Sequence, residues 1–226
     1  MSAKPPVIAI DGPSSSGKGT VAARVAAQLG WHLLDSGALY RGVAWAALQG
    51  GVDLDDAAAL ASMTRRLDFD IKPGSIHVDG VDLTDAIRQE RISAGSSRVA
   101  RLEPVRHALR TVQIGMRRPP GLVADGRDMG TVVFPTAELK VFLDASVEER
   151  ARRRHKQLID KGSGVSLSDL FASLRARDER DRSRSVSPLR ADDDAVMIDT
   201  TRMSISAVVE TVLNHAAGRS LTGGGA

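Results

Sequence analysis

The residues Gly12-Pro-Ser-Ser-Ser-Gly17-Lys18-Gly19-Thr20 follow the apolar run Val7-Ile-Ala-Ile10 with only Asp11 between. They open a segment in which Val21, Val25 and Leu29 recur at i, i+4 and i+8, the spacing of one helical face. Strand, glycine-rich loop and helix in this order constrain the fold more than any other feature of the chain. Glycines let a backbone curl until its amides converge on one point, and a helix N-terminus adds favourable dipole charge there. Such a loop fits a phosphate, with Lys18 reaching the β- and γ-phosphates as a point charge. A glycine- and serine-rich connector without a ligand is the plainer reading. The strand and helix on the correct sides of the loop argue against it.

Short apolar runs then alternate with helical patterns, which is the signature of βαβ units and a parallel sheet. After Val7-Ile-Ala-Ile10, strands are expected at residues 31–34, 121–124, 139–143 and 195–198, five in all. Helices are expected at residues 18–29, 38–49, 146–161, 166 to about 184, and 204–217, with Gly50-Gly51 closing the second. Between residues 67 and 83 the apolar period becomes two, through Leu67, Phe69, Ile71, Ile76, Val78, Val81 and Leu83. Pro73-Gly74 and Asp79-Gly80 punctuate it, and Asp-Gly is a strong hairpin turn. This predicts a three-stranded antiparallel meander inserted at residues 53–97 of a single α/β domain spanning residues 1–226. Residues 218–226, with Gly223-Gly-Gly225, are expected to be disordered.

Bulk properties exclude several function classes. No apolar run approaches the ~18–20 residues of a membrane span, and residues 1–6 lack the pattern of a signal peptide. The chain has no cysteine, and its five histidines show no HExxH-type spacing, so thiol chemistry and that zinc motif are absent. A soluble, cytoplasmic protein is expected. The pI of about 9.6 points towards nucleic acid, but the net charge is only +3 and aromatic residues make up 3% of the chain. Arginines gather instead at Arg150, Arg152, Arg153 and Arg154 and between Arg175 and Arg190. That clustering suits a small polyanion, and neither a nucleic-acid nor a membrane partner is expected.

Two further segments carry chemistry. Asp35-Ser36-Gly37-Ala38-Leu39-Tyr40-Arg41 follows the second strand, with Ser36 at an N-cap position and Arg41 one turn in. Beside a phosphate loop it reads as a second anion site, for an acceptor phosphate. Ala124-Asp125-Gly126-Arg127-Asp128-Met129-Gly130 ends the third long strand. Ligands of open α/β sheets bind outside such strand ends, and a magnesium-orienting carboxylate belongs there. In residues 166–184, Leu167, Leu170, Phe171 and Leu174 form an inward apolar stripe that continues into Arg177, Asp178, Asp181 and Arg184. Buried charge is costly unless paired or bound to a ligand, so this face is expected to line a polar cleft. The arginines at 150–154 suit a short lid, residues 150–166, closing over a nucleotide, with Arg154 on ATP.

The Gly-Lys-Gly-Thr ending resembles nucleoside monophosphate kinases. The set GPSSSGKGT, DSGALYRGVA, ADGRDMGTVVFP, LDASVEERARRR and RDERDRSR resembles bacterial cytidylate kinases over residues 7–213. The second and third motifs are specific to that family, since adenylate kinases differ there and carry a longer lid. The resemblance implies a five-stranded parallel sheet of P-loop type with an inserted nucleoside-monophosphate subdomain, transferring a phosphoryl group from ATP to CMP or dCMP. It implies ATP binding by Gly12, Pro13, Ser14, Ser15, Ser16, Gly17, Lys18, Gly19 and Thr20. Ser36, Arg41 and Arg127 would hold the acceptor phosphate. Ser97, Arg106, Asp128 and Arg184 would address cytosine, and Arg177 and Asp181 the sugar. Lys18, Arg127 and Asp125 are the expected catalytic residues. Mg²⁺ would be held largely by water and ATP oxygens, with Thr20 or Asp125 as candidate ligands. A monomer is expected. Kinases for UMP, AMP, shikimate or gluconate, and a nucleotide-dependent RNA-binding module, are the alternatives. Arginines interleaved with acids, as in Asp178-Glu-Arg-Asp-Arg182, weigh against a stripe that tracks an RNA backbone.

Overall fold

The computed structural model describes residues 4–72, 75–160, 162, 164–184 and 186–221. Its elements in chain order begin with β1 (Val7–Asp11), α1 (Lys18–Leu29), β2 (His32–Asp35), α2 (Ser36–Gln49) and α3 (Ala57–Thr64). Then come β3 (Phe69–Lys72), β4 (Ser75–Val78), β5 (Val81–Asp82), a 3₁₀ turn at Ala86–Arg88, α4 (Glu90–Val99) and α5 (Glu103–Gly115). The last part holds β6 (Leu122–Gly126), a single π-helical turn at Met129–Val133, β7 (Leu139–Asp144), α6 (Val147–Ile159), α7 (Leu167–Arg182), β8 (Val196–Asp199) and α8 (Ile205–Ala217).

Five parallel strands lie in the order β2-β6-β1-β7-β8. β1 sits centrally, and Val7, Ile8, Ala9 and Ile10 are wholly buried, as a strand covered on both faces requires. Side chains alternate across it. Val7 and Ala9 join one apolar core with α2, α4 and α5, whereas Ile8 and Ile10 join a second with α1 and α8. The chain moves to one side of β1 for β2 and β6 and to the other for β7 and β8. This order opens a crevice at the carboxyl ends of the strands.

The expected meander is present as an antiparallel sheet, β3-β4-β5. Its second turn has Asp79 at φ 50° and Gly80 at φ 78°, and two positive φ values mark a type I′ hairpin. The first turn, at Pro73-Gly74, lies outside the described residues, as do residues 222–226 of the expected disordered tail and residues 1–3. Order extends further than expected at the C-terminus. Residues 218–221 form a turn in which the Leu221 amide donates to the Ala216 carbonyl at 2.9 Å, and the Leu221 side chain is buried. Ile76, Val78, Leu83, Ile87 and Ile92 belong to the same core as Ala9 and Leu34, so the inserted segment packs on the domain through shared apolar surface.

The stripe on α7 departs from expectation. Leu167 is exposed and Leu170 and Phe171 are only partly covered, whereas Leu174, Asp178 and Asp181 are buried. The apolar end of α7 thus faces outwards beside the crevice, and its charged end is the one packed inside.

Gly121, just before β6, lies under Trp31. A β-carbon there would stand 2.4 Å from the indole ring. Gly121→Ala is therefore expected to destabilise the protein by about 1–3 kcal/mol, the usual cost of overpacking. Urea unfolding followed by Trp fluorescence measures it.

Candidate functional site

A cleft of about 1760 Å³ runs across the carboxyl ends of the sheet, from the glycine-rich loop to Ser97 and Arg106. The loop has the backbone that phosphate cradling needs. Gly12 has φ 153° and Gly17 φ 90°, and a β-carbon on Gly12 would sit 2.1 Å from the Leu143 carbonyl oxygen. The loop is held from behind. Arg150 Nη1 donates to the Ser14 carbonyl at 3.1 Å, and Arg153 Nη1 and Thr200 Oγ1 each donate to the Ser16 carbonyl at 3.2 Å. In a planar trans peptide the N–H points away from the C=O. Holding these two carbonyls therefore turns the Ser15 and Gly17 amides to the opposite side.

Arg150 and Arg153 correct the expectation that residues 150–154 form a free flap. Arg150 is 1% exposed, and its guanidinium donates to the Ala145 carbonyl at 2.9 Å and to both oxygens of Asp178. Arg153 is tied to Glu149 at 3.0 Å and to the Thr200 carbonyl at 2.6 Å. Both are framework for the loop. Arg154 does reach the cleft, where it lies 3.9 Å from Glu90 of α4.

Lys18 Nζ donates to the Pro13 carbonyl at 3.2 Å. Its surroundings desolvate the ammonium and lower its pKa to about 8, against the opposing pull of Asp125. Burial raises Asp125 to about 6, with Lys18 opposing, and Asp125 Oδ1 makes no hydrogen bond among the described residues. Its other oxygen lies within 3.1 Å of where a Gly19 β-carbon would be, at the start of α1. Thr20 lines the cleft nearby.

At the acceptor end, Asp35 rather than Ser36 caps α2, accepting the Ala38 amide at 2.9 Å. Ser36 is the first helical residue, and its hydroxyl accepts from Gln113 of α5 at 3.0 Å. Arg41 is held by Asp35 at 3.0 Å. Arg127 Nε donates to Asp181 at 2.5 Å, and Arg184 binds the other oxygen of the same carboxylate. Burial alone would raise Asp181, but Arg127 and Arg184 more than reverse this and hold it below the usual carboxylate range. Among the described residues Arg177 has no carboxylate of its own. Burial, then repulsion from Arg127, lowers it to about 9, and its Nε is buried without a partner.

Deep in the cleft the buried Asp128 is paired with Arg106, whose guanidinium also donates to the Ala100 carbonyl at 2.9 Å and stands 5.7 Å over the Tyr40 ring. Burial raises the Tyr40 hydroxyl to about 12.

Ser14, Ser15, Gly17, Lys18, Gly19 and Thr20 line this cleft. So do Ser36, Arg41, Ser97, Arg106, Asp125, Arg127, Asp128, Arg154, Arg177 and Arg184. Gly12, Pro13, Ser16 and Asp181 do not, standing behind its surface. Thr200 and Gln113 shape the site and were not singled out from sequence, whereas the sequence reads Arg150 and Arg153 as lid residues and Tyr40 only as part of the Asp35–Arg41 segment. Each acts through a partner distant along the chain.

Arg150→Met would leave the Asp178 carboxylate buried without its partner. Loss of about 3–5 kcal/mol is expected in chemical denaturation, with most of it recovered when Asp178→Leu is added.

The cytidylate kinase family model matches residues 8–218. A cytidylate kinase of Azotobacter vinelandii is 53% identical, over 99% of this chain and 100% of that one. One of Pseudomonas aeruginosa is 55% identical, over 95% and 96%. Among solved structures, a shikimate kinase of Acinetobacter baumannii, in complex with shikimate, covers 96% of each chain at 16% identity with a TM-score of 0.47.

Proposed function

We propose the reaction from one premise: the chain belongs to the cytidylate kinase family. The protein transfers the γ-phosphoryl group of ATP to CMP or dCMP, giving ADP and CDP or dCDP. The observation that supports the individual roles is a single cleft with the phosphate loop and Lys18 at one end and the Arg106–Asp128 pair at the other. Arg41 and Arg127 lie between.

Phosphoryl transfer asks the protein mainly for alignment and for compensation of spread negative charge. The loop amides and Lys18 hold the ATP phosphates. Arg41, Arg127 and Ser36 hold the acceptor phosphate, whose own oxygen is the nucleophile, so no side chain needs activating. Asp128, fixed by Arg106, accepts a hydrogen bond from the N4 amino group of cytosine, where uracil would present a repelling oxygen. Arg177 serves the sugar, with Ser97 and Arg184 completing the acceptor site and Arg154 on ATP, whereas Asp181, expected at the sugar, stands behind the cleft and orients Arg127 and Arg184 instead.

Mg²⁺ bound with ATP would neutralise charge on the β- and γ-phosphates. Asp125, with a buried oxygen free of hydrogen bonds, and Thr20 are the groups placed to hold it or its waters. The ion would be bound largely through water and phosphate oxygens, as Mg²⁺ commonly is. We propose a monomer, the state expected from the sequence. Among the described residues no helix is long and apolar enough to cross a membrane, and we place the enzyme in the cytoplasm.

ATP consumption measured in parallel with CMP, dCMP, UMP and AMP tests the reaction, and preference for AMP or absence of turnover with CMP would overturn it. Lys18→Ala is expected to fold normally and lose about 10²–10³-fold in kcat, as when one preorganised charge-stabilising group is removed. Asp128→Ala should lower kcat/KM for CMP far more than for UMP, narrowing their ratio by roughly one to two decades. An unchanged ratio with both activities collapsed would assign Asp128 to metal or structure instead.

A further inference from the structure

We propose that Asp11 is a positioning residue for the acceptor: its carboxylate bolts the turn bearing Arg127 and Asp128 to the strand that carries the phosphate loop. This rests on the CMP kinase reading above.

Asp11 ends β1 and immediately precedes Gly12. It is 5% exposed, and its two oxygens accept the amides of Met129 and Gly130, each at 2.8 Å. These amides open the π-helical turn Met129–Val133, and the first amides of a helix have no partner within it. The residue in the N-cap position is normally the one that satisfies them, and aspartate does so well. Here Asp128 holds that position yet makes no capping bond. Its carboxylate faces Arg106 instead. Asp11, reaching across from another strand, supplies the cap that Asp128 does not, and so frees Asp128 to serve the cleft. The fit is close, since a β-carbon on Gly130 would stand 3.4 Å from Asp11 Oδ2 and 3.2 Å from the Lys140 chain.

One carboxylate thus fixes the donor loop, through its own backbone, and the acceptor turn, through two hydrogen bonds. In-line transfer is sensitive to this spacing, because about 1 Å of misplacement costs ~10²-fold in rate.

Asp11→Asn keeps the size but turns a donor towards one of the two amides. The expected result is a folded protein with kcat for CMP lowered at least ~10-fold, a narrowed CMP/UMP ratio, and KM for ATP within about twofold of wild type. In an Asp128→Ala background, Asp11→Asn should leave the CMP/UMP ratio unmoved, because the group it orients is gone. Asp11→Ser, which keeps one acceptor, should show a smaller loss in the same direction.

Three results would overturn the proposal. The first is a lower melting temperature with wild-type kcat and CMP/UMP ratio. The second is a loss carried by KM for ATP. The third is failure of both variants to fold, which would make Asp11 a residue of stability alone. Wild-type turnover of CMP, measured alongside, reports separately on the underlying reading.

Discussion

A loop that binds phosphate through its backbone amides must keep those amides from being spent inside the protein, and much of this structure answers that demand. Arg150 and Arg153, from α6, and Thr200, after β8, take the outward carbonyls of Ser14 and Ser16. Each cation brought in for this purpose needs its own counter-charge in a poorly solvated place. Asp178 of α7 supplies it for Arg150, and Glu149 for Arg153. This accounts for the inversion along α7. Its charged end is buried because it packs beneath the loop, whereas its leucine-bearing start lies beside the open cleft.

The acceptor end follows a different electrostatic rule. Arg127 and Arg184 share the carboxylate of Asp181, and Arg177 joins them without one of its own. Three guanidiniums around one carboxylate leave this cluster with more positive charge than Asp181 neutralises, while burial, and only then repulsion from Arg127, lowers the Arg177 pKa. A bound nucleoside monophosphate would supply the missing negative charge, so the strain between these cations in the free protein becomes attraction in the complex. Asp181, buried behind the cleft surface with both oxygens bound, organises these cations.

Features carried by short sequence distances were legible beforehand, and features carried by long ones were not. The phosphate loop, each of the five strands and the period-two meander are each set within a short contiguous segment, so local pattern suffices. The cap of α2 reads from sequence as Ser36, whereas Asp35, an equally good capping residue, holds the position. It is decided by Gln113, which engages the Ser36 hydroxyl from 77 positions away. Arg150 and Arg153 read as lid arginines poised over a nucleotide, since nothing nearby reveals that their partners are carbonyls more than a hundred residues upstream. Asp11 was invisible for the same reason. A single acid ending an apolar strand carries no sign of the amides it will meet 118 residues later.

The alternation of side chains along β1 gives these parts a common logic. Ala9 faces the core built from α2, α4, α5 and the meander, the elements that present Ser36, Arg41, Ser97 and Arg106. Ile10, one residue on, faces the core built from α1 and α8, which flank the phosphate loop. The two substrate sites therefore rest on two apolar layers separated by one sheet, and β1 contributes to both. Movement of the acceptor layer could alter the site while the donor layer stays packed, provided that the joint at the carboxyl end of β1 holds its shape. At that joint the next residues are Asp11 and Gly12, the first bound to the acceptor turn and the second opening the phosphate loop. The two-residue period of a buried strand thus becomes the means by which one fold holds two phosphates in register.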